Sequence, residues 1–425
     1  MKWVLYTVLF SAVYPFLLPG FLLRMLRRGG YAARMGDRFA LYPEAVMAQL
    51  KSGAGHFVWI HAVSVGEVQV ASQFMREWRR VEKDVRFCFS TTSSTGWRMA
   101  QKEVQGGDVL IYNPLDFPSF VKSALKTVRP RAVVLVESEI WPLFIRMAKK
   151  MSVPVFLVNA RVSDRSAPRY RAARWIFKDV FACFTAIFAQ SQLDRKRLAD
   201  AGASESRLHV TGSFKFDAAH RAAPEKEAQL REWVGEGRIL LGGSTWPGED
   251  EVLLDAYAKL RGRDESLKLV IAPRHFEKAD AIEENIRKAG FKCIRRSRAD
   301  IPANDGAAAV WLADTTGELM GFYGIADVVF VGKSLCAHGS QNMIEPCLCA
   351  KPTIVGPYTE NFRPVMSELL ADNAIIQVKD VAELHKRLED VLFSDDGLGR
   401  RAVAAVESRR GVVARCVETI RGFLK

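Results

Sequence analysis

The chain has 425 residues, 49% hydrophobic and 10% aromatic, which excludes global disorder and exceeds what one core accommodates. Two domains of roughly 200 residues each are expected. A formal charge of +13 calls for a negatively charged partner: nucleic acid, anionic lipid or a phosphorylated sugar. The chain has no zinc-finger spacing, no RNA-binding aromatic signature and no basic heptad region, which argues against nucleic acid.

Trp3 to Leu23 is an uncharged stretch of 21 residues, long enough to cross a bilayer. Pro15 and Pro19 would bend or interrupt a helix there, so an anchor lying half-inserted in the interface fits as well as one that spans. Arg24, Arg27, Arg28, Arg34 and Arg38 follow, and the positive-inside tendency then puts the rest of the chain in the cytoplasm. The apolar stretch is too long for a typical signal peptide and no small-x-small cleavage site follows, so an uncleaved anchor over residues 1–26 is expected.

Next comes the apolar run Phe57–Ile60, then His61-Ala62-Val63-Ser64-Val65-Gly66-Glu67. Gly66 is expected to permit a tight turn and close approach of a ligand. Glu67 opens the amphipathic run Val68, Val70, Phe74 and Trp78, whose spacing predicts a helix. A carboxylate in a first helical turn has its proton affinity lowered by the helix dipole unless burial raises it. At the mouth of a cleft it is a candidate general base; elsewhere it is an ordinary helix-opening glutamate.

Further strands are predicted at Val85–Ser90, Val109–Ile111, Ala132–Val136, Val153–Val158 and Ala186–Ala189, with helices at Val121–Lys126 and Pro142–Met151. A polar interval without strand signal, Asp217 to Gly237, separates these from Ile239–Gly242, Lys268–Ile271, Val310–Leu312, Val328–Val331 and Pro352–Val355. A last helix is predicted from Ala402 to Phe423. Near-continuous Val/Ile/Leu runs alternating with helices indicate two parallel α/β sheets, each covered on both faces. Ligands of such sheets bind beyond the carboxyl ends of the strands.

Several side chains stand at those ends. Glu137 and Glu139 follow Ala132–Val136 and would share a face if the strand continued. They can order a cationic transition state, or simply pair with a basic side chain and open a helix. Alternation over Phe214, Lys215 and Phe216 would put both aromatics on one side and the ammonium on the other. Pro273-Arg274-His275 follows a strand, and a guanidinium suits phosphate. Thr316-Gly317-Glu318 and Asn342-Met343-Ile344-Glu345 each precede a helical pattern, where free amides or a carboxylate can take a nucleotide or cap the helix. Arg161, Arg165, Arg169, Arg171 and Arg174 form a basic run that is either solvated surface or a phosphate-binding face. No Asp-x-Asp pair stands at a strand end, so a metal clamp is not suggested, and no cofactor is expected. The seven cysteines have no Cys-x-x-Cys spacing, which fits a reducing compartment.

In order, Ser64-Val65-Gly66-Glu67, Glu137-Ser138-Glu139-Ile140-Trp141-Pro142, Asn159-Ala160-Arg161, Thr211-Gly212-Ser213-Phe214-Lys215-Phe216-Asp217, Pro273-Arg274-His275, Thr316-Gly317-Glu318-Leu319 and Asn342-Met343-Ile344-Glu345 resemble the motifs of the Kdo transferases. These move 3-deoxy-D-manno-octulosonic acid (Kdo) from CMP-Kdo onto lipid A precursors. The resemblance implies a GT-B glycosyltransferase: two Rossmann-like doubly wound domains facing a crevice, plus an N-terminal anchor helix. It divides the chain into the anchor (1–26), an acceptor-binding domain (27–216), a nucleotide-sugar-binding domain (217–400) and a C-terminal helix (401–425) that can pack back on the N-terminal domain.

It further implies an inverting, metal-independent transfer to lipid IVA at the cytoplasmic face of the bacterial inner membrane. Glu67 would be the base, with Glu137 and Lys215 catalytic. Pro273, Arg274, Thr316, Gly317, Glu318, Asn342, Met343, Ile344 and Glu345 would bind CMP, and Arg161 and Arg165 the acceptor phosphate. Partners would be CMP-Kdo, the lipid A precursor and membrane lipid, with no nucleic acid; oligomeric state and the number of Kdo units stay open. A two-domain transferase using a UDP-sugar, or a non-catalytic basic adaptor on anionic lipid, are the alternative readings. Three loops depart from the family pattern: Gly332-Lys333-Ser334 for Gly-Gly-Ser, Gly339-Ser340-Gln341-Asn342 for Gly-Gly-His/Gln-Asn, and Ser244-Thr245-Trp246 for Ser-Thr-His. A side chain in place of glycine would narrow the nucleotide loop, and Lys333 could add a phosphate contact.

Overall fold

Hydrophobic runs that alternate with helices need both faces of a sheet covered, and the computed structural model is built that way twice. It describes residues 32–298, 308–394 and 396–425. The chain divides into two compact units, one running to Phe214 and including Gly411–Lys425, the other Lys215–Arg410.

The first unit holds β1 (Phe57–His61), β2 (Arg86–Thr91), β3 (Val109–Tyr112), β4 (Ala132–Val136), β5 (Val155–Ala160), β6 (Ala186–Ala189) and β7 (Leu208–Val210). All are parallel, in the order β3-β2-β1-β4-β5-β6-β7. The period of two sorts their side chains: Trp59, Val133 and Leu135 enter one core, Val58, Ile60, Val134 and Val136 the other. The second core takes Val68, Phe74 and Trp78 from the helix Val65–Val81, as their spacing predicts.

The second unit repeats the plan with β8 (Ile239–Thr245), β9 (Lys268–Pro273), β10 (Lys292–Arg295), β11 (Ala309–Leu312), β12 (Val328–Val331), β13 (Thr353–Val355) and β14 (Ile376–Gln377). The order is β10-β11-β9-β8-β12-β13-β14, again parallel. Leu241, Val329 and Val331 face one core; Leu240, Val328 and Phe330 face the other.

Three strands escape the sequence pattern: β7, β10 and β14. Each lies at a sheet edge, is short, and carries His209, Lys292 and Arg295, or Gln377 among its residues. An edge strand needs no continuous apolar run, because one flank is solvated. The predicted C-terminal helix is two helices, Leu398–Glu407 and Val412–Phe423, parted at Gly411, whose φ of 78° lies in the left-handed region. The second packs on the helix Val65–Val81 and buries Cys416, Val417 and Ile420 in the first unit.

Arg34 and Arg38 are not a free basic flank. Arg34 pairs with Asp37 at 2.8 Å, and Arg38 is buried with its guanidinium 5.1 Å from the Tyr112 ring. The expected anchor and Arg24, Arg27 and Arg28 lie outside the described residues. Among the described residues no helix is long and apolar enough to cross a membrane. None of the seven cysteines forms a disulfide.

Candidate active site

In the first unit the carboxyl ends of β1, β4 and β5 bring chemistry together. Ser64 caps the helix Val65–Val81: Glu67 N–H donates to Ser64 Oγ at 3.3 Å, and Glu67 Oε2 accepts from Val63 N at 2.8 Å and Ser64 N at 3.3 Å. The expected turn at Gly66 is not there. Gly66 is the second helical residue, and the chain bends at Ser64 instead. Its missing side chain leaves open space, with no atom within 4 Å of where a Cβ would stand. Glu67 is 8% exposed. Burial raises its proton affinity first and the nearby Glu139 carboxylate second; the two amides pull it down, and Glu137 adds a smaller rise. Dehydration and like charge thus outweigh the two amides, and the carboxylate holds a proton more tightly than an ordinary glutamate.

Glu137 and Glu139 do not share a strand face. The strand ends at Val136, and Glu137 takes a φ of 58°, so the chain turns between the two carboxylates. Glu137 accepts from Arg161 Nε at 2.7 Å and from Asn159 Nδ2 at 3.4 Å. Glu139 Oε2 accepts from Trp141 Nε1 at 2.8 Å and lies 3.7 Å from His61 Nε2. Glu67, Glu137, Glu139 and Arg161 therefore form one cluster. Arg165, Arg169, Arg171 and Arg174 sit farther along the chain on exposed positions, beside Trp175, which is 52% exposed. A cavity of about 730 Å³ there is lined by Ala167, Arg171, Leu193, Lys196 and Arg197 among others.

In the second unit Lys215 is not on an alternating strand. It begins the short helix Lys215–Ala218, so Phe214 and Phe216 enter different cores. Its ammonium donates to Asn361 O at 3.0 Å and lies 3.9 Å from the centre of the Phe362 ring. Arg274 is exposed beyond β9, with no side-chain hydrogen bond or ion pair among the described residues. Asn342 Nδ2 donates to Glu345 at 3.0 Å while its Oδ1 accepts from Ile344 N at 3.2 Å, so this amide serves both as a local cap and as a carboxylate partner. Burial raises Glu345, opposed by the Asn342 bond and the fields of His220 and Arg274. Met343 and Ile344 are core residues, leaving Asn342 and Glu345 as the polar groups of that motif.

Glu318 is committed elsewhere. Burial pushes it up, but bonds from Arg296, Lys226 and Thr315 outweigh this and hold it at about 2. Gly317, with φ 84°, has open space where a side chain would stand.

The departing loops meet one another. Lys333 Nζ stands 4.7 Å from the Trp246 ring, and that ring packs edge-on to His275 at 4.9 Å. Lys333 and Ser340 hold left-handed φ values of 56° and 59°, and Ser340 N donates to Lys333 O at 2.7 Å. Sequence reasoning passed over the group that fastens this loop. Glu249, fully buried, accepts from the amides of Trp246, Lys333, Ser334, Leu335 and Cys336 at 2.8–3.4 Å. A Cβ on Gly332 would come 2.4 Å from Ser244 O, so only glycine fits there. The one trace of Glu249 in the sequence is its place at a helix start. His61, buried behind Glu139, was missed because a histidine closing an apolar strand reads as core.

A buried glutamate beside two further carboxylates, in one of two units that each carry seven parallel strands, defines a two-unit doubly wound α/β protein with an acidic site at the carboxyl ends of its strands. The likeness to solved structures agrees on the fold. A glycosyltransferase from Rickettsia africae shares 13% identity over 87% of this chain and 99% of its own, with a TM-score of 0.58. The UDP-GlcNAc 2-epimerase of Neisseria meningitidis shares 12% identity over 86% and 100%, with the same TM-score of 0.58.

The family model described as 3-deoxy-D-manno-octulosonic-acid transferase (kdotransferase) matches residues 33–218. The chain is 33% identical to the 3-deoxy-D-manno-octulosonic acid transferase of Bordetella pertussis over 76% of each. It is 29% identical to that of Haemophilus influenzae over 99% of this chain and 98% of the relative. The chain belongs to the Kdo transferase family of glycosyltransferases.

Proposed function

We propose that the protein transfers Kdo from CMP-Kdo to a lipid A precursor, lipid IVA, by a single inverting displacement. The observation that carries this reading is Glu67: buried, held by two amides, and made more basic by Glu139 and Glu137. Glu67 takes the proton of the acceptor hydroxyl as it attacks the anomeric carbon. Glu137, paired with Arg161, faces the positive charge that develops on the sugar, and Lys215 faces the phosphate as CMP leaves. Arg274, the open backbone at Gly317 and the Asn342–Glu345 pair supply contacts for CMP, while Arg161 and Arg165 meet acceptor phosphate. No metal or cofactor is assigned a role, since no Asp-x-Asp pair stands at a strand end.

Residues 1–26 anchor the enzyme to the bacterial inner membrane with both units in the cytoplasm. The experiment is direct. Full-length protein given CMP-Kdo and tetraacylated lipid A precursor should release CMP, inhibited by added CMP and not by UDP. Release no greater than in a control without acceptor overturns the reading, and inhibition by UDP alone favours a UDP-sugar donor.

A further inference from the structure

His61 closes β1 and is fully buried. Its Nδ1 lies 2.9 Å from Ser90 Oγ and 3.1 Å from Ser90 O on the neighbouring strand β2. That hydroxyl also accepts from Trp59 Nε1 at 2.8 Å and lies 3.2 Å from Asn113 Oδ1, so one edge of the imidazole is seated in a buried polar lattice. The other edge is not: Nε2 has no hydrogen-bond partner. It points at Glu139 Oε2, 3.7 Å away, the same oxygen that takes the Trp141 indole N–H. The Trp141 ring crosses His61 edge-on at 5.7 Å.

A buried ring nitrogen left without a partner is unfavourable unless it has a use. Ser90 permits two arrangements. If its hydroxyl donates to Nδ1, the imidazole proton sits on Nε2 and faces Glu139. If its carbonyl accepts from Nδ1, the neutral ring turns the lone pair of Nε2 toward the carboxylate, the less favourable arrangement. With its proton on Nε2 the imidazole faces Glu139 as a donor, and a shift of about 1 Å or less completes the hydrogen bond.

We propose that His61 is a positioning residue of the transfer site, fixing the Glu139 carboxylate beside Glu67 through its otherwise unpartnered Nε2. The inference rests on Glu67 being the base. His61 ends the strand and Glu67 lies in the first turn of the helix that follows, so the strand that builds the core also sets the position of the acid neighbour. Glu139 is faced by Glu67, His61, Trp141 and Tyr170; Glu67 by Glu139, Glu137 and the amides of Val63 and Ser64. Arg161 is taken up by Glu137. Glu139 is thus the nearer uncompensated anion, and its placement governs how strongly Glu67 holds a proton.

Loosening Glu139 lets Glu67 lose its proton at lower pH and makes it a weaker base. The test is the pH profile of kcat/KM for CMP release in full-length protein. His61→Asn keeps an amide near Ser90 but cannot reach Glu139; His61→Gln returns a donor near the position of Nε2. His61→Asn should move the acid limb down by about one pH unit and lower kcat roughly tenfold, with the KM for CMP-Kdo little changed. His61→Gln should restore most of both. In a Glu139→Gln background, His61→Asn should add no further shift.

A folded His61→Asn with the wild-type limb overturns the proposal, as does an additive shift in the double variant. Should His61→Asn not fold, Glu139→Gln and His61→Gln decide: an unmoved limb in the first, or a fully moved limb in the second, overturns it. Absence of CMP release by the wild-type chain is a different result, and it overturns the transfer reading itself.

Discussion

Glu67 combines two roles that usually conflict. Its carboxylate completes the cap of the helix Val65–Val81, yet burial and two neighbouring acids make its charge unfavourable. A carboxyl whose folded proton affinity is raised contributes stability at low pH and loses it as pH rises through the folded value. Glu67→Gln keeps an oxygen for the Val63 and Ser64 amides and removes that charge. It should therefore melt no lower than wild type at pH 7–8, while turnover falls ~10²–10⁴-fold. Thermal melts beside CMP-release rates check this, and near-normal turnover from a folded Glu67→Gln would place the base elsewhere. Glu67's candidacy was legible in Ser64-Val65-Gly66-Glu67, but its basicity was not, because Glu139 and Glu137 arrive from another strand end.

At the scale of elements, Asp116 shows how a loop serves a helix far along the chain. Buried beyond β3, it accepts from Leu143 N at 3.0 Å and Phe144 N at 2.7 Å, the opening amides of the helix Pro142–Lys150. Burial drives its proton affinity up to about 6 against the two amides, from an ordinary 3.8. Because the folded value is the higher one, its contribution to stability is complete below about pH 4 and is lost as pH climbs through about 6. Relative to Asp116→Asn, which does not titrate, wild type should lose on the order of 2–3 kcal/mol across that window. Urea unfolding of both proteins at pH 4, 5, 6 and 7 measures the difference; a constant difference would show that Asp116 keeps its ordinary affinity. The helix itself was legible from its Pro142 start, whereas its cap, 26 residues upstream of that proline, was not.

For the whole molecule, the last helix belongs to the first unit although the chain reaches it only after completing the second. Val412, Val413, Cys416, Val417 and Ile420 are all buried in a core they share with Phe74 and Phe214. Ending the chain at Arg410 should expose that face, at about 1.5–3 kcal/mol for each large side chain uncovered. Limited proteolysis should then cut the first unit quickly and leave Lys215–Arg410 resistant; equal resistance of both units would show that the helix only decorates the surface.

Removing Met1 to Leu26 bears on the proposed anchor. None of the candidate catalytic groups lies in that stretch, so turnover on detergent-dispersed acceptor should largely survive. Activity on acceptor in vesicles should drop. Loss in both formats from a folded truncation would mean that the segment helps build the acceptor site, and equal activity in both that it plays no part in membrane access.

The sequence by itself determined the two parallel sheets, since runs such as Ala-Val-Val-Leu-Val at 132–136 can be satisfied only by cores on both faces. It also supplied the family, because the motif order survives without any knowledge of contacts. Periodicity is local, so it could not see the edge strands β7, β10 and β14, the break at Gly411, or the turn at Glu137 that defeats strand alternation. Only the tertiary structure decided that Lys333 stands over the Trp246 ring, that Glu249 clamps their loop and that Glu318 is spent on Arg296 and Lys226. Only it set His61 and Glu139 behind Glu67. Proton affinity and loop shape depend on charges and hydrogen bonds between residues distant in the chain, and those distances exist only once it has folded.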